Sequence, residues 1–175
     1  MLFRSGSGDD FILGTNGANV LDGGGGTDVF NGAGGNDTIF GRAGTDNIYG
    51  QRGTDSLWGG SGNDLFPFHA FTDSSARYGI DTIMDFNPST EGDRIDLTAI
   101  DSNPNAAGIQ AWDFFGSEPP TAPSVSGNGQ ATLTYNAVTG ATVLNLYAND
   151  GDFRADFTLN ILGEHLVVAN IDGFI

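Results

Sequence analysis

Seven side chains that end in a carboxylate or a carboxamide recur every nine residues: Asp10, Asn19, Asp28, Asp37, Asp46, Asp55 and Asp64. A row of hard oxygen donors at fixed spacing is suited to holding cations. Two residues before each stands a glycine, from Gly8 and Gly17 through Gly26, Gly35, Gly44 and Gly53 to Gly62. Two residues after each comes a large apolar side chain: Ile12, Leu21, Phe30, Ile39, Ile48, Leu57 and Phe66. Each unit therefore reads G-x-x-G-x-D-x-U-x with U apolar, a nonapeptide that binds Ca²⁺ in a parallel β-roll. Solvated turns also favour Asp and Asn, but turn preference explains neither the strict phase nor the apolar position.

The elements that must position these donors follow from the period. The first six residues of each nonapeptide make a turn and the last three a short strand, so two nonapeptides complete one coil of a flattened solenoid. Ile12, Phe30, Ile48 and Phe66 then face inward from one sheet, and Leu21, Ile39 and Leu57 from the other. Asp10, Asp28, Asp46 and Asp64 line one edge, and Asn19, Asp37 and Asp55 the other. Carboxylates stacked about 4.8 Å apart repel, and a cation between successive turns reverses that sign. Ca²⁺ suits such a place better than Mg²⁺, because it accepts six to eight oxygens in irregular geometry, backbone carbonyls included.

Composition agrees. There are 28 glycines, no cysteine, six positive side chains and 22 acidic ones, giving a net charge of −16. That balance repels nucleic acid and anionic membrane surfaces. Lacking disulfides, a glycine-rich chain has Ca²⁺ as its available cross-link. No run approaches the roughly 18 apolar residues of a membrane span, and Met1–Ser5 lacks the apolar core of an N-terminal export signal. With the repeat phase already running at Ser5, the start reads as a cut through a longer chain.

After Phe66 the pattern changes to alternation. Strands are expected at Ala131–Tyr135, Ala141–Tyr147 and Asp156–Ile161, and an exposed loop at Gly116–Gly129. The expected fold is all-β: a right-handed parallel β-roll over residues 5–66, followed by a β-rich, sandwich-like C-terminal cap over 67–175. Such a cap covers the end of a solenoid that would otherwise expose a sheet edge.

Catalytic motifs are missing. His-Glu-x-x-His is absent, the only histidines are His69 and His165, and Glu164-His165 is an adjacent pair whose side chains point apart on a strand. Ser61 lacks the second glycine of a nucleophile elbow. The chain is expected not to be an enzyme by itself. An acidic bend at Gly151, Asp152 and Asp156 reads as an ordinary hairpin connection.

The repeats resemble those of the repeats-in-toxin proteins exported by bacterial type I systems. Beyond them, NDLFPFHAFTDSS (Asn63–Ser75), GIDTIMDF (Gly79–Phe86), GDRIDLTAID (Gly92–Asp101), IQAWDFFG (Ile109–Gly116), GDFRADFTLNILG (Gly151–Gly163) and the closing IDGFI are similar to the C-terminal region of serralysin-type metalloproteases. The resemblance implies sites built from the carbonyls of positions two and four and the Asp of one turn. The turn one coil later adds the carbonyls of positions one and three and its own Asp.

On this chain the first site would be Gly6, Gly8 and Asp10 with Gly23, Gly25 and Asp28, and the second Thr15, Gly17 and Asn19 with Gly32, Gly34 and Asp37. The neutral Asn19 makes the second the weaker. The third would be Gly24, Gly26 and Asp28 with Gly41, Ala43 and Asp46, and the fourth Ala33, Gly35 and Asp37 with Gly50, Arg52 and Asp55. The fifth would be Arg42, Gly44 and Asp46 with Gly59, Ser61 and Asp64. Asp73 lies 18 residues after Asp55, so a sixth site of Gln51, Gly53 and Asp55 with Asp73 would close onto the cap.

The family further implies a secreted, extracellular bacterial protein without an N-terminal signal peptide. Its C-terminus would engage the type I secretion machinery, and a catalytic or effector domain would stand on its N-terminal side. The alternative is a polysaccharide-binding module of an alginate-modifying or other secreted enzyme. Phe40 and Trp58 would then stack on sugar rings, whereas packing by the position-nine aromatics Phe40, Tyr49 and Trp58 is the plainer reading.

Overall fold

A computed structural model describes residues 1–101, 112–114, 129–148, 154–163 and 171–172. The loop ahead of Gly129, the bend at Gly151 and Asp152, the Glu164-His165 pair and the closing Gly173–Ile175 lie outside the described residues. No helix is present among those described, and none is long and apolar enough to cross a membrane.

Two sheets face each other. The first contains nine strands in the order β1 (Leu2–Arg4), β3 (Val20–Gly25), β5 (Thr38–Ala43), β7 (Ser56–Ser61), β9 (Asp81–Ile83), β14 (Phe157–Leu162), β13 (Ala141–Tyr147), β12 (Gly129–Asn136) and β11 (Trp112–Phe114). The second contains six, in the order β15 (Ile171–Asp172), β10 (Arg94–Asp96), β8 (Leu65–Pro67), β6 (Asn47–Tyr49), β4 (Val29–Asn31) and β2 (Phe11–Leu13). Through the repeats, odd strands join one sheet and even strands the other, and every pairing is parallel, as two nonapeptides per coil require.

The register sets position eight against position eight: Leu21 on Ile39, Ile39 on Leu57, Ile12 on Phe30, Phe30 on Ile48. All these side chains are buried, and they form the seam between the sheets. Burying each such side chain contributes roughly 1.5–3 kcal/mol.

The composition changes at Phe66, but the sheets do not stop there. β9 adds to β7 with Ile83 on Leu57, and β10 adds to β8 with Ile95 on Phe66, so the inward apolar row continues through buried Ile83, Ile95 and Ile171. Beyond β9 the first sheet adds β14 in parallel, then β14, β13 and β12 form an antiparallel meander and β11 pairs parallel with β12; Leu133, Leu144, Leu146, Phe157, Leu159 and Ile161 carry the core into the cap. The strands expected at 131–135, 141–147 and 156–161 are present within two residues at each boundary.

Candidate metal centre

The carboxylate columns are built by the sheets. With coils in register at position eight, position six falls at the same place in each turn, and every position-six Asp from Asp28 on binds the coil before it. The backbone N–H groups of Asp10, Asp28, Asp46 and Asp64 donate to Oδ1 of Asp28 (2.9 Å), Asp46 (2.8 Å), Asp64 (2.9 Å) and Asp93 (3.1 Å). On the opposite edge the N–H groups of Asn19, Asp37 and Asp55 donate to Oδ1 of Asp37 (2.8 Å), Asp55 (2.7 Å) and Asp81 (2.9 Å).

The second carboxylate oxygen is treated differently. Oδ2 of Asp28, Asp37, Asp46, Asp55, Asp64 and Asp81 is buried and accepts no hydrogen bond. A buried anionic oxygen without a partner is costly. Burial pushes the carboxyl of Asp37 up to about 6 and those of Asp55 and Asp64 up to about 7, and it raises Asp28 and Asp46 as well. The columns therefore demand either a proton or a cation.

Each orphan oxygen faces a defined space. A Cβ built on Gly23 would lie 2.3 Å from Asp28 Oδ2 and 3.0 Å from the Gly41 carbonyl oxygen of the next coil. On Gly32 the corresponding distances are 2.6 Å to Asp37 Oδ2 and 2.6 Å to Gly50 O, and on Gly41 they are 2.3 Å to Asp46 Oδ2 and 2.5 Å to Gly59 O. Position one is thus glycine because its side-chain space is where a carboxylate oxygen and a carbonyl oxygen converge.

The first coil shows what these two oxygens attract. Ser5 stands at position one there, and its hydroxyl donates to Asp10 Oδ2 and lies 2.8 Å from Gly23 O. The donor set fits Ca²⁺: hard oxygens, one charged and one from the backbone, in a shell completed by further carbonyls. Among the described residues no cluster of three or more His, Cys, Asp or Glu forms a metal site, so any ion here would depend on backbone oxygens.

The other turn positions have their own geometry. From the second coil on, position two is left-handed even where it is not glycine, with φ of 73° at Ala33, 86° at Arg42 and 68° at Gln51, beside 97° at Gly24 and Gly60. Arg42 is held there through its side chain, which pairs with Asp22 (Nε to Oδ1, 3.0 Å) and lies 4.7 Å over the Phe40 ring. Position-three carbonyls receive the position-four N–H of the coil before, as Gly25 O does from Gly8, Ala43 O from Gly26, Arg52 O from Gly35 and Ser61 O from Gly44. Position-four glycines approach the preceding coil closely: a Cβ on Gly44 would meet Gly26 O at 1.6 Å, and one on Gly53 would meet Gly35 O at 1.9 Å. At the open first coil, by contrast, Gly6, Gly8 and Gly17 have nothing near their Cβ positions.

Two sequence expectations change in detail. Asn19 does not present a bare oxygen, since its Oδ1 accepts the Thr15 N–H at 2.6 Å and its amide donates to the Thr15 hydroxyl at 3.1 Å. Asp73, expected to stack on Asp55, does not. Its Oδ2 accepts the N–H groups of His69 (2.8 Å) and Ala70 (3.0 Å), and Asp81 takes the stacked position. Asp81 and Asp93 are the stacked carboxylates that spacing missed; Oδ2 of Asp81 is bare, whereas Oδ2 of Asp93 accepts the Asn87 N–H at 2.8 Å. The signal for Asp81 was in the sequence, because Gly79-Ile80-Asp81-Thr82-Ile83 repeats the G-x-D-x-U core out of phase.

Fold and turn geometry together define the class: a nonapeptide-repeat β-roll of the repeats-in-toxin type, closed by a β-rich cap. The sequence matches the family model described as Peptidase M10 serralysin C terminal over residues 4–172, and the chain belongs to that family. No curated protein sequence matches it. Among solved structures it is similar to the AlgE6R2 subunit of the Azotobacter vinelandii mannuronan C5-epimerase, with 26% identity and a TM-score of 0.55 over 98% of this chain and 92% of that one. It is also similar to the AlgE6R3 subunit of the same epimerase, with 28% identity and a TM-score of 0.53 over 94% of this chain and 78% of that one.

Proposed function

We propose that the chain is a calcium-binding module of a bacterial extracellular protein, which folds when calcium fills its turns and serves type I export. The observation that carries this reading is the set of six buried, unpartnered Asp Oδ2 atoms, three of which (Asp28, Asp37 and Asp46) converge with a carbonyl oxygen of the next coil. Asp28, Asp37, Asp46, Asp55 and Asp64 would hold the ions, about five in number, with backbone carbonyls of the flanking coils. A bound Ca²⁺ supplies positive charge between stacked carboxylates that otherwise repel. Where calcium is scarce the turns stay open, and where it is millimolar they close, which keeps the chain unfolded for export and ordered outside. The serralysin C-terminal family supports the secreted setting and a catalytic partner domain elsewhere.

Calorimetric titration tests the binding. Ca²⁺ should bind with several equivalents per chain and Mg²⁺ should not compete at equal concentration; equal binding of both would count against these sites. For export, co-expression with a type I exporter should place the chain in the medium, and deletion of Ile171–Ile175 should retain it in the cell.

A second reading has one observation behind it. Phe40 and Trp58 stack at 4.8 Å between ring centroids with 29° between planes, and the Arg42 guanidinium covers Phe40. Tyr49 instead packs edge-on against His69 of the cap. An aromatic ledge with a cation beside it suits a sugar ring, and the similar subunits belong to a mannuronan epimerase. Affinity electrophoresis in alginate should show retardation that Trp58→Ala abolishes; unchanged mobility of both proteins removes this reading.

A further inference from the structure

The roll contains the tripeptide Asn-Gly-Ala twice, at Asn16-Gly17-Ala18 and at Asn31-Gly32-Ala33, and folds the two copies differently. In an Asn-Gly pair the glycine nitrogen can attack the side-chain amide of the Asn, because no Cβ hinders the approach. Around Asn31 both reacting groups are engaged. Its Oδ1 accepts the Ala33 N–H at 3.0 Å, and the Gly32 N–H donates to Tyr49 O one coil on at 2.9 Å. Gly32 is buried and Asn31 half-buried.

The turn that holds Asn16 departs from the other turns of the roll. Position-four glycines are left-handed, with φ between 102° at Gly35 and 148° at Gly53, and Gly17 is the exception. Gly8, Gly26, Gly35 and Gly44 give their N–H to the position-three carbonyl one coil on. The equivalent bond from Gly17 to Gly34 O is not made, and the Gly17 N–H has no partner among the described residues. Asn16 is exposed, and its amide makes no hydrogen bond among them either; its Oδ1 lies 3.8 Å from the Cβ position of Gly34. This turn has a different anchor, since the neutral Asn19 keeps its Oδ1 on the Thr15 N–H at 2.6 Å.

We propose that Asn16 is a site of spontaneous deamidation, a modification that the same tripeptide at Asn31 is folded to resist. The Gly17 nitrogen loses its proton as its electron pair attacks Asn16 Cγ. The bond from Cγ to the amide nitrogen breaks, ammonia leaves with that proton, and a cyclic imide remains. Water then opens the imide at either carbonyl, giving aspartate or its isomer in which the main chain runs through the side chain. Either product puts a carboxylate into the turn whose position six is the uncharged Asn19. The isomer also lengthens the backbone just ahead of Asn19, whose N–H holds Asp37 Oδ1 at 2.8 Å, and so loosens the first contact of that column.

Peptide mapping by mass spectrometry of the full chain, kept folded in Ca²⁺ at mildly alkaline pH, tests this. Asn16 should turn into a mixture of aspartate and isoaspartate roughly tenfold faster than Asn31 or more, since opening the hydrogen bonds around Asn31 is an added barrier there. In denaturant, where neither copy is held, the two should convert at similar rates. Gly17→Ala fits the fold, because nothing lies within 4 Å of the Gly17 Cβ position and its φ is not left-handed. That variant should slow the loss of the Asn16 amide and leave Asn31 as it was. An Asn16 that keeps its amide in the folded chain, or converts no faster than Asn31, overturns the proposal.

Discussion

The backbone N–H of Asp28 donates to Oδ1 of Asp46 at 2.8 Å, while the other oxygen of Asp46 is buried and unpartnered. One carboxylate thus serves two purposes, fastening one coil to the next and presenting charge to a cation. Asp46→Ala removes both. Leaving a buried N–H unsatisfied costs about 1–3 kcal/mol, which in a chain of this size lowers the melting temperature by roughly 2–4 °C per kcal/mol. Calorimetry in saturating Ca²⁺ should show that loss together with a reduced calcium count.

Position one offers a designed contrast. Ser5 already places a hydroxyl between Asp10 Oδ2 and Gly23 O. Gly41→Ser cannot repeat that arrangement without a shift, since its Cβ would lie 2.3 Å from Asp46 Oδ2 and 2.5 Å from Gly59 O, and its side chain would take the place of the ion. Displacing a charge-assisted contact worth about 1.5–3 kcal/mol weakens calcium at that turn by roughly 10- to 100-fold. Isothermal titration should resolve the weakened site, and in saturating Ca²⁺ the variant should melt lower than the parent chain.

The raised carboxyls make a prediction about pH with a definite sign. Folding lifts Asp37 to about 6 and Asp55 and Asp64 to about 7, from an ordinary value of 3.8, so the metal-free fold binds more protons than the unfolded chain in that window. Their contribution to stability is fully present below about pH 4 and is lost as pH rises through 6 to 7. Asp22 works the other way: Arg42 holds its carboxyl below 3.8, and that contribution is lost only at more acidic pH. Metal-free protein should therefore hold more β structure at pH 5 than at pH 8, and calcium affinity should climb over the same range because the ions displace protons. Far-UV circular dichroism of decalcified protein across this range provides the check, and a flat profile would contradict it.

Ala33 carries a backbone strain that can be relieved. Its φ of 73° lies in the left-handed region, which costs a residue with a Cβ roughly 1–2 kcal/mol. Ala33→Gly should raise the melting temperature by a few degrees in calcium, after a partial offset from the flexibility glycine adds to the unfolded chain. Arg42→Gly at the equivalent position should gain less, since it also deletes the pairing with Asp22 and the contact with Phe40.

How far the sequence could be read depends on phase. Ile12 through Phe66 and Asp10 through Asp64 were legible because a fixed nine-residue period admits one stacking, and the meander of Ala141–Tyr147 and its neighbours was legible from alternation. Asp81 and Asp93 were not, because separations of 26 residues from Asp55 and 29 from Asp64 break the count of 18 that binds the coils within the repeats. Asp73 satisfies that count, yet local geometry wins: its carboxylate turns to the N–H groups of His69 and Ala70. The Ser5 hydroxyl bridge and the left-handed Arg42 rest on short-range contacts that no spacing rule encodes.

The most direct test of the account is far-UV circular dichroism during a Ca²⁺ titration, from metal-free protein to about 10 mM, the range of weak extracellular sites, with Mg²⁺ as control at pH 7.5. The account predicts a cooperative gain of β signal with Ca²⁺ and little change with Mg²⁺. A full β spectrum in metal-free protein, unchanged by calcium, would contradict it.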